Sequence, residues 1–163
     1  MAKNEKPTDT DDPRDVHVTP SALDTHTHAE LRLLYGESTE TLRFVKNHQW
    51  KTVGATLIVF FALIFVAGFI DAGPNLARQF MGITITISCA AIFMLVLYQF
   101  WTHNEQTKIS QMQPHMSSLF ADIRALKSKR EGNIHRYLLL SFMVIAVILG
   151  ALVVHLSLSK IVI

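Results

Sequence analysis

The chain has 163 residues, half of them apolar, and a formal charge of only +2. That is room for one compact unit, with more apolar side chains than a soluble domain of this size ordinarily carries. Its single cysteine, Cys89, excludes a disulfide framework and a CxxC zinc pair. Its thirteen acids and fifteen bases are segregated along the chain, so their placement says more than their sum.

The opening "MAKNEKPTDTDDPRDVHVTP" has no apolar h-region and is too acidic for a mitochondrial presequence. The first apolar segment must therefore act as its own uncleaved insertion signal. Residues 1–26 are rich in Asp, Thr and Pro and are expected to form a disordered acidic cytoplasmic tail, because they cannot bury enough apolar surface to offset ordering. Order is expected from "THAE", where Thr27 as N-cap and Glu30 three residues on form a capping box. A cytoplasmic amphipathic helix over 27–52 follows, with Leu31, Leu34, Tyr35, Leu42 and Val45 on one face as candidates for binding a partner.

Three runs then match the roughly 20 residues needed to cross a hydrocarbon core of about 30 Å. They are 53–70, 81–101 and 137–158, and none contains Asp, Glu, Lys or Arg. The fold class is thus an all-α membrane protein with three transmembrane helices and two cytoplasmic amphipathic helices. A short external loop, 71–80, joins the first two spans, and 159–163 forms an external C-terminus. Inside the spans, Thr84 with Ser88 and Ala146 with Gly150 have the small-xxx-small spacing that lets helix backbones approach.

The loop over 102–136 carries the second amphipathic helix, about 114–131. Pro114 suits its first turn, Gly132 its C-terminal cap, and Met116, Leu119, Phe120, Ile123 and Leu126 share a face. That face is expected to be buried, on the first cytoplasmic helix or on a partner. Lys127, Lys129, Arg130 and Arg136 precede the third span and are expected to meet anionic lipid headgroups.

Seven bases precede the first span, six lie between the second and third, and only Arg78 and Lys160 fall on the other side. The positive-inside rule then predicts a bacterial-type inner-membrane protein with its N-terminus cytoplasmic and its C-terminus external. Trp50, Trp101 and Tyr137 each stand at a cytoplasmic end of a span, where amphipathic rings favour the headgroup layer.

Signals for chemistry are sparse. Asp24, His26 and His28 in "DTHTH" alternate carboxylate and imidazole, a weak metal-ligand pattern that lacks the further ligands of a closed site. No metal or cofactor is assigned. There is no phosphate-cradling glycine loop, nucleophile elbow or HExxH pair, and no ionisable side chain at the centre of a span, so no catalytic residue can be named. The expected function is non-enzymatic: an accessory, scaffold or assembly subunit acting through its cytoplasmic helices. Its expected partners are membrane lipids and either a second copy or a membrane or cytoplasmic protein, and not nucleic acid. The alternative is an oligomeric channel or pore-forming effector. In layout, a cytoplasmic helix followed by two spans and another cytoplasmic helix resembles the SLATT domains, a resemblance that implies a membrane-disrupting pore. The third span departs from that plan.

Overall fold

The computed structural model describes residues 18–125 and 129–162. Four α-helices follow in chain order: α1 (Thr25–Phe69), α2 (Pro74–Met112), α3 (Ser118–Ala125) and α4 (Lys129–Val162), with a 3-10 turn at Gln113–His115 between α2 and α3. Three of them, α1, α2 and α4, are long and apolar enough to cross a membrane.

Helix α1 is one continuous element, in which the helix expected over 27–52 runs straight on into the first apolar run. No proline interrupts the junction, and once nucleated a helix propagates at little cost per residue. Its N-cap is Asp24, not Thr27. The Asp24 carboxylate accepts from the backbone N–H groups of His26 and Thr27 at 2.9 and 3.0 Å, and from the Thr27 hydroxyl at 2.6 Å. These bonds hold its pKa below the ordinary carboxylate value, the Thr27 hydroxyl contributing most. Residues 18–24, expected within the disordered tail, are part of the described structure. Residues 1–17 lie outside it.

At the far end Ile70 caps α1, Asp71 takes a left-handed conformation (φ 46°), and the Ala72 N–H donates to Ala67 O at 3.0 Å. This six-to-one bond closes a Schellman turn. Pro74 then starts α2, which leaves a connection much shorter than the expected loop over 71–80. So short a link makes α1 and α2 antiparallel neighbours.

The expected helix over 114–131 does not start at Pro114: a 3-10 turn and an extended residue come before α3 begins at Ser118. Pro114 has no N–H to donate to the preceding turn, so the α-ladder of α2 stops and tightens to 3-10. Met116 is extended, and Ser117 caps α3, its carbonyl accepting from Ala121 N–H at 3.1 Å. Helix α3 is described as far as Ala125, and from Lys129 the chain is in α4, so Gly132 lies inside a helix and is not a cap. Likewise α4 extends the expected third span at both ends and carries helix through most of the expected external C-terminus.

The bundle core recurs mostly at four- and seven-residue intervals, the signature of helices packed side by side. It comprises Val53, Phe60 and Ala67 from α1, Ala77, Ala91 and Leu95 from α2, and Met143, Val147, Val154 and Leu158 from α4. Thr56, Thr84, Ser88 and Gln99 are buried among them. The outside is the more apolar surface, with Ile58, Phe61, Phe65, Phe93, Phe142, Ile148 and Leu152 all exposed. Apolar side chains cover the outside as well as filling the inside, as suits helices long and apolar enough to cross a membrane.

Candidate partner-binding site

Beyond Trp50 and Trp101 the α1–α2 pair continues past the apolar runs. Ser38, Val45 and Gln49 from α1 and Glu105, Ile109 and Met112 from α2 are buried in this extension. Glu105 is its one buried charge among the described residues. Lys108 donates to it at 2.7 Å and holds its carboxyl below the usual range, against the opposing effect of burial and with help from the Ser38 hydroxyl and the Trp101 indole. A buried carboxylate with donors around it is a satisfied one.

On the outer side of this seam, aromatic rings bridge the two helices. Phe44 lies 3.9 Å from the His48 ring and 6.4 Å from Trp101, and His48 lies 6.3 Å from Tyr98, measured between centroids. His48 Nδ1 is 3.0 Å from the Phe44 carbonyl, which can only accept, so that nitrogen carries the proton.

Helix α3 packs on α1 through Phe120, whose ring meets Tyr35 edge-on at 5.3 Å, while the Arg124 guanidinium lies over the same Tyr35 ring at 6.0 Å. The segment ahead of α1 ties the elbow down from the other side. Thr19 N–H donates to Ser118 Oγ at 2.9 Å, Ser118 N–H donates to Thr19 O at 3.1 Å, and the Ser21 hydroxyl donates to His115 O at 2.8 Å. Residues nearly a hundred positions apart are thus stitched through the backbone.

The candidate partner-binding residues divide accordingly. Val45 is fully buried inside the chain, and Leu31, Tyr35, Leu42, Met116 and Phe120 are half-buried. Leu34 is exposed, as are Leu119 (40 %) and Ile123 (60 %), although the α3 face was expected to be buried. Of the apolar α3 residues Phe120 reaches α1, on the Tyr35 ring that Arg124 also covers. Leu126 and Lys127 lie outside the described residues. Lys129 and Arg130 fall in the first turn of α4. Arg136 is half-buried: its Nη1 donates to the Gln106 side chain, its Cζ lies 5.0 Å from the Tyr137 ring, and its buried Nε has no partner among the described residues. It links α4 to α2, a contact the headgroup expectation did not anticipate.

The small-residue expectations fall inside the bundle. Thr84 and Ser88 are buried, and their hydroxyls donate to Phe80 O and Thr84 O one turn back, at 2.8 and 2.7 Å. A Cβ on Gly150 would come within 2.7 Å of Leu57 and 2.9 Å of Phe60, so α4 approaches α1 at its bare backbone; Ala146, one turn earlier, is half-buried. A second small spacing on α2, Gly82, Thr86 and Ala90, faces outward, with nothing near a Cβ at Gly82. The same spacing signal could have picked it out.

Asp24, His26 and His28 acquire no further ligand: among the described residues no three His, Cys, Asp or Glu side chains gather as a metal site would require. Sequence reasoning did not single out Glu105, Thr19 or Ser21. Glu105 continues the Ser88, Leu95, Gln99 stripe of α2, and that register is the signal that could have found it. The chain matches no protein-family model, no curated protein and no solved structure.

Proposed function

We propose that the chain is a non-enzymatic membrane scaffold or assembly subunit whose α1–α2 projection carries α3 out from the bilayer and presents Leu119 and Ile123 to a protein partner. The observation that supports this most is height. Tyr35, where α3 docks, precedes Trp50 by fifteen residues, about 22 Å of helix rise. The headgroup layer adds only about 5–8 Å beyond the hydrocarbon on each side. With Trp50 at the membrane boundary, the exposed pair on α3 stands clear of lipid, and apolar side chains held rigidly in water at such a place favour a protein contact. The split of bases supports placing this end in the cytoplasm of a bacterial-type inner membrane, with the C-terminus external.

The test is co-purification in mild detergent from the native membrane, comparing the unaltered chain with Ile123→Asp and Asp122→Asn. A partner lost from Ile123→Asp and retained by Asp122→Asn is expected. If both variants retain it equally, the reading fails. A channel has less support, because the polar side chains of the spans at Thr84 and Ser88 are turned into the bundle and bonded to their own helix.

A further inference from the structure

We propose that Arg136 and Gln106 hold the phosphate group of one anionic membrane lipid where α4 meets α2 at the edge of the bilayer. This site is separate from α3 and from any protein partner. Height is the first reason. Gln106 follows Trp101 by five residues, about 7.5 Å of helix rise, which sets it at the level of the headgroup layer, about 5–8 Å deep. Arg136 comes directly before the third apolar run, and Tyr137, which opens that run, is exposed. Lipid phosphates occupy this layer, so the acceptor proposed for Arg136 is the group most abundant around it.

The second reason is a shortage of acceptors. A guanidinium carries five N–H donors and no acceptor. Nη1 of Arg136 donates to the Gln106 side-chain oxygen, which leaves the Gln106 amide NH2 as a further donor beside it, and the buried Nε has no partner among the described residues. An unpaired donor shut off from water is costly, the more so on a charged group. The sequence offers little to answer that charge. Glu105 is the single acid between Asp71 and Asp122, and it is already met by Lys108 at 2.7 Å and by the Ser38 hydroxyl, on the α1 side. On α4 the nearest acid, Glu131, is five positions back, off the three- and four-residue spacings at which helix side chains meet. A phosphate diester supplies both the negative charge and the oxygens that match the planar fork of arginine. Gln106 and the Tyr137 ring, 5.0 Å from Cζ, already fix the half-buried side chain, so little rotamer freedom is lost on binding. A head group with no cation of its own is favoured, because the ammonium of a zwitterionic lipid would be brought up to Arg136.

The experiment uses the full chain in mild detergent with added phosphatidylglycerol, phosphatidylcholine or millimolar inorganic phosphate. Bound lipid is counted by native mass spectrometry, and thermal unfolding is read in parallel. One phosphatidylglycerol per chain is expected, held about tenfold more tightly than phosphatidylcholine, as charge-assisted bonds to a guanidinium imply. Gln106→Glu sets a carboxylate of the chain itself against Arg136, so it should weaken phosphatidylglycerol binding about tenfold while the thermal midpoint without lipid holds or rises. Arg136→Lys keeps the charge without the fork and should lose the preference between the two lipids. Lys51→Gln lowers the net charge by one, as Gln106→Glu does, at an exposed position beside Trp50 on α1, and should leave binding intact. Undiminished phosphatidylglycerol binding by Gln106→Glu overturns the proposal. So does an equal loss from Lys51→Gln, which would leave only a general attraction of bases for acidic lipid. Equal retention of the two lipids would do the same, as would stabilisation by inorganic phosphate equal to that by phosphatidylglycerol, the mark of a soluble-anion site.

Discussion

Phe60 of α1 lies against the bare Cα of Gly150 in α4: a β-carbon built on that glycine would sit 2.9 Å from the Phe60 ring and 2.7 Å from Leu57. Gly82 is the contrast, a helical glycine with no atom within 4 Å of the same position. Gly150→Ala should therefore cost about 1–3 kcal/mol by overpacking. Gly82→Ala should gain about 0.5–1 kcal/mol from reduced backbone entropy in the unfolded chain. Thermal unfolding in one detergent reads both. Equal shifts in the two variants would mean that α4 does not approach α1 at Gly150.

Glu105 gives a dependence on acid. Its carboxyl is held below the ordinary value of 4.5 by Lys108 in particular, so its contribution is complete above that value and is lost as pH falls through the lower folded value. Glu105→Gln should lower stability at neutral pH by about 1–3 kcal/mol, the cost of disturbing a buried charge-assisted bond. It should also flatten the decline as pH falls below about 4.5. Melting curves of both chains across that range check it. Parallel declines would show that Glu105 is not the group responsible.

The spans were legible because crossing a membrane is a matter of composition and length, and 53–70, 81–101 and 137–158 satisfy both without a charge. Helix ends were less so. "LDTHTHAE" holds two overlapping capping signals, and only the structure shows that Asp24 takes the N–H groups while Thr27 bonds back to it. The amphipathic face of Leu31, Tyr35, Leu42 and Val45 was visible as a face, but sequence could not say that Val45 alone of the four would be fully buried while Tyr35 met the ring of Phe120. A charged residue such as Glu105 reads as solvated until Ser38 and Lys108 are seen beside it. The 3-10 turn ahead of α3 follows from Pro114, but the clasp of Thr19 on Ser118 and of Ser21 on His115 joins residues nearly a hundred positions apart, which no local pattern encodes.

Orientation is testable independently of any partner. Reporter fusions at Ile163 should report from the external side, and insertions near Ser118 from the cytoplasm, as the thirteen-to-two distribution of bases requires. A cytoplasmic signal from the C-terminal fusion would invert the scheme and remove α3 from reach of a cytoplasmic partner.

A pore and a scaffold differ in their need for a wet path through the membrane. A path through the bundle would have to be lined by Thr84 and Ser88, whose hydroxyls donate to Phe80 O and Thr84 O and are packed away from any opening. A path between copies would have to be lined by outward side chains, which on α2 include Ile83, Ile85, Cys89, Phe93, Met94, Val96 and Leu97, with Thr86 the hydroxyl among its exposed residues at that depth and itself bonded to Gly82 O at 3.1 Å. An apolar wall of this kind resists water. The chain alone should accordingly give no steady conductance in planar bilayers. Thr84→Val and Thr86→Val separate the two routes: both keep shape and remove a hydroxyl, one inside the bundle and one on its outer face. Reproducible single-channel currents that change with Thr86→Val would establish a pore between copies, and currents that change with Thr84→Val a pore through the bundle. Either result would displace the scaffold reading.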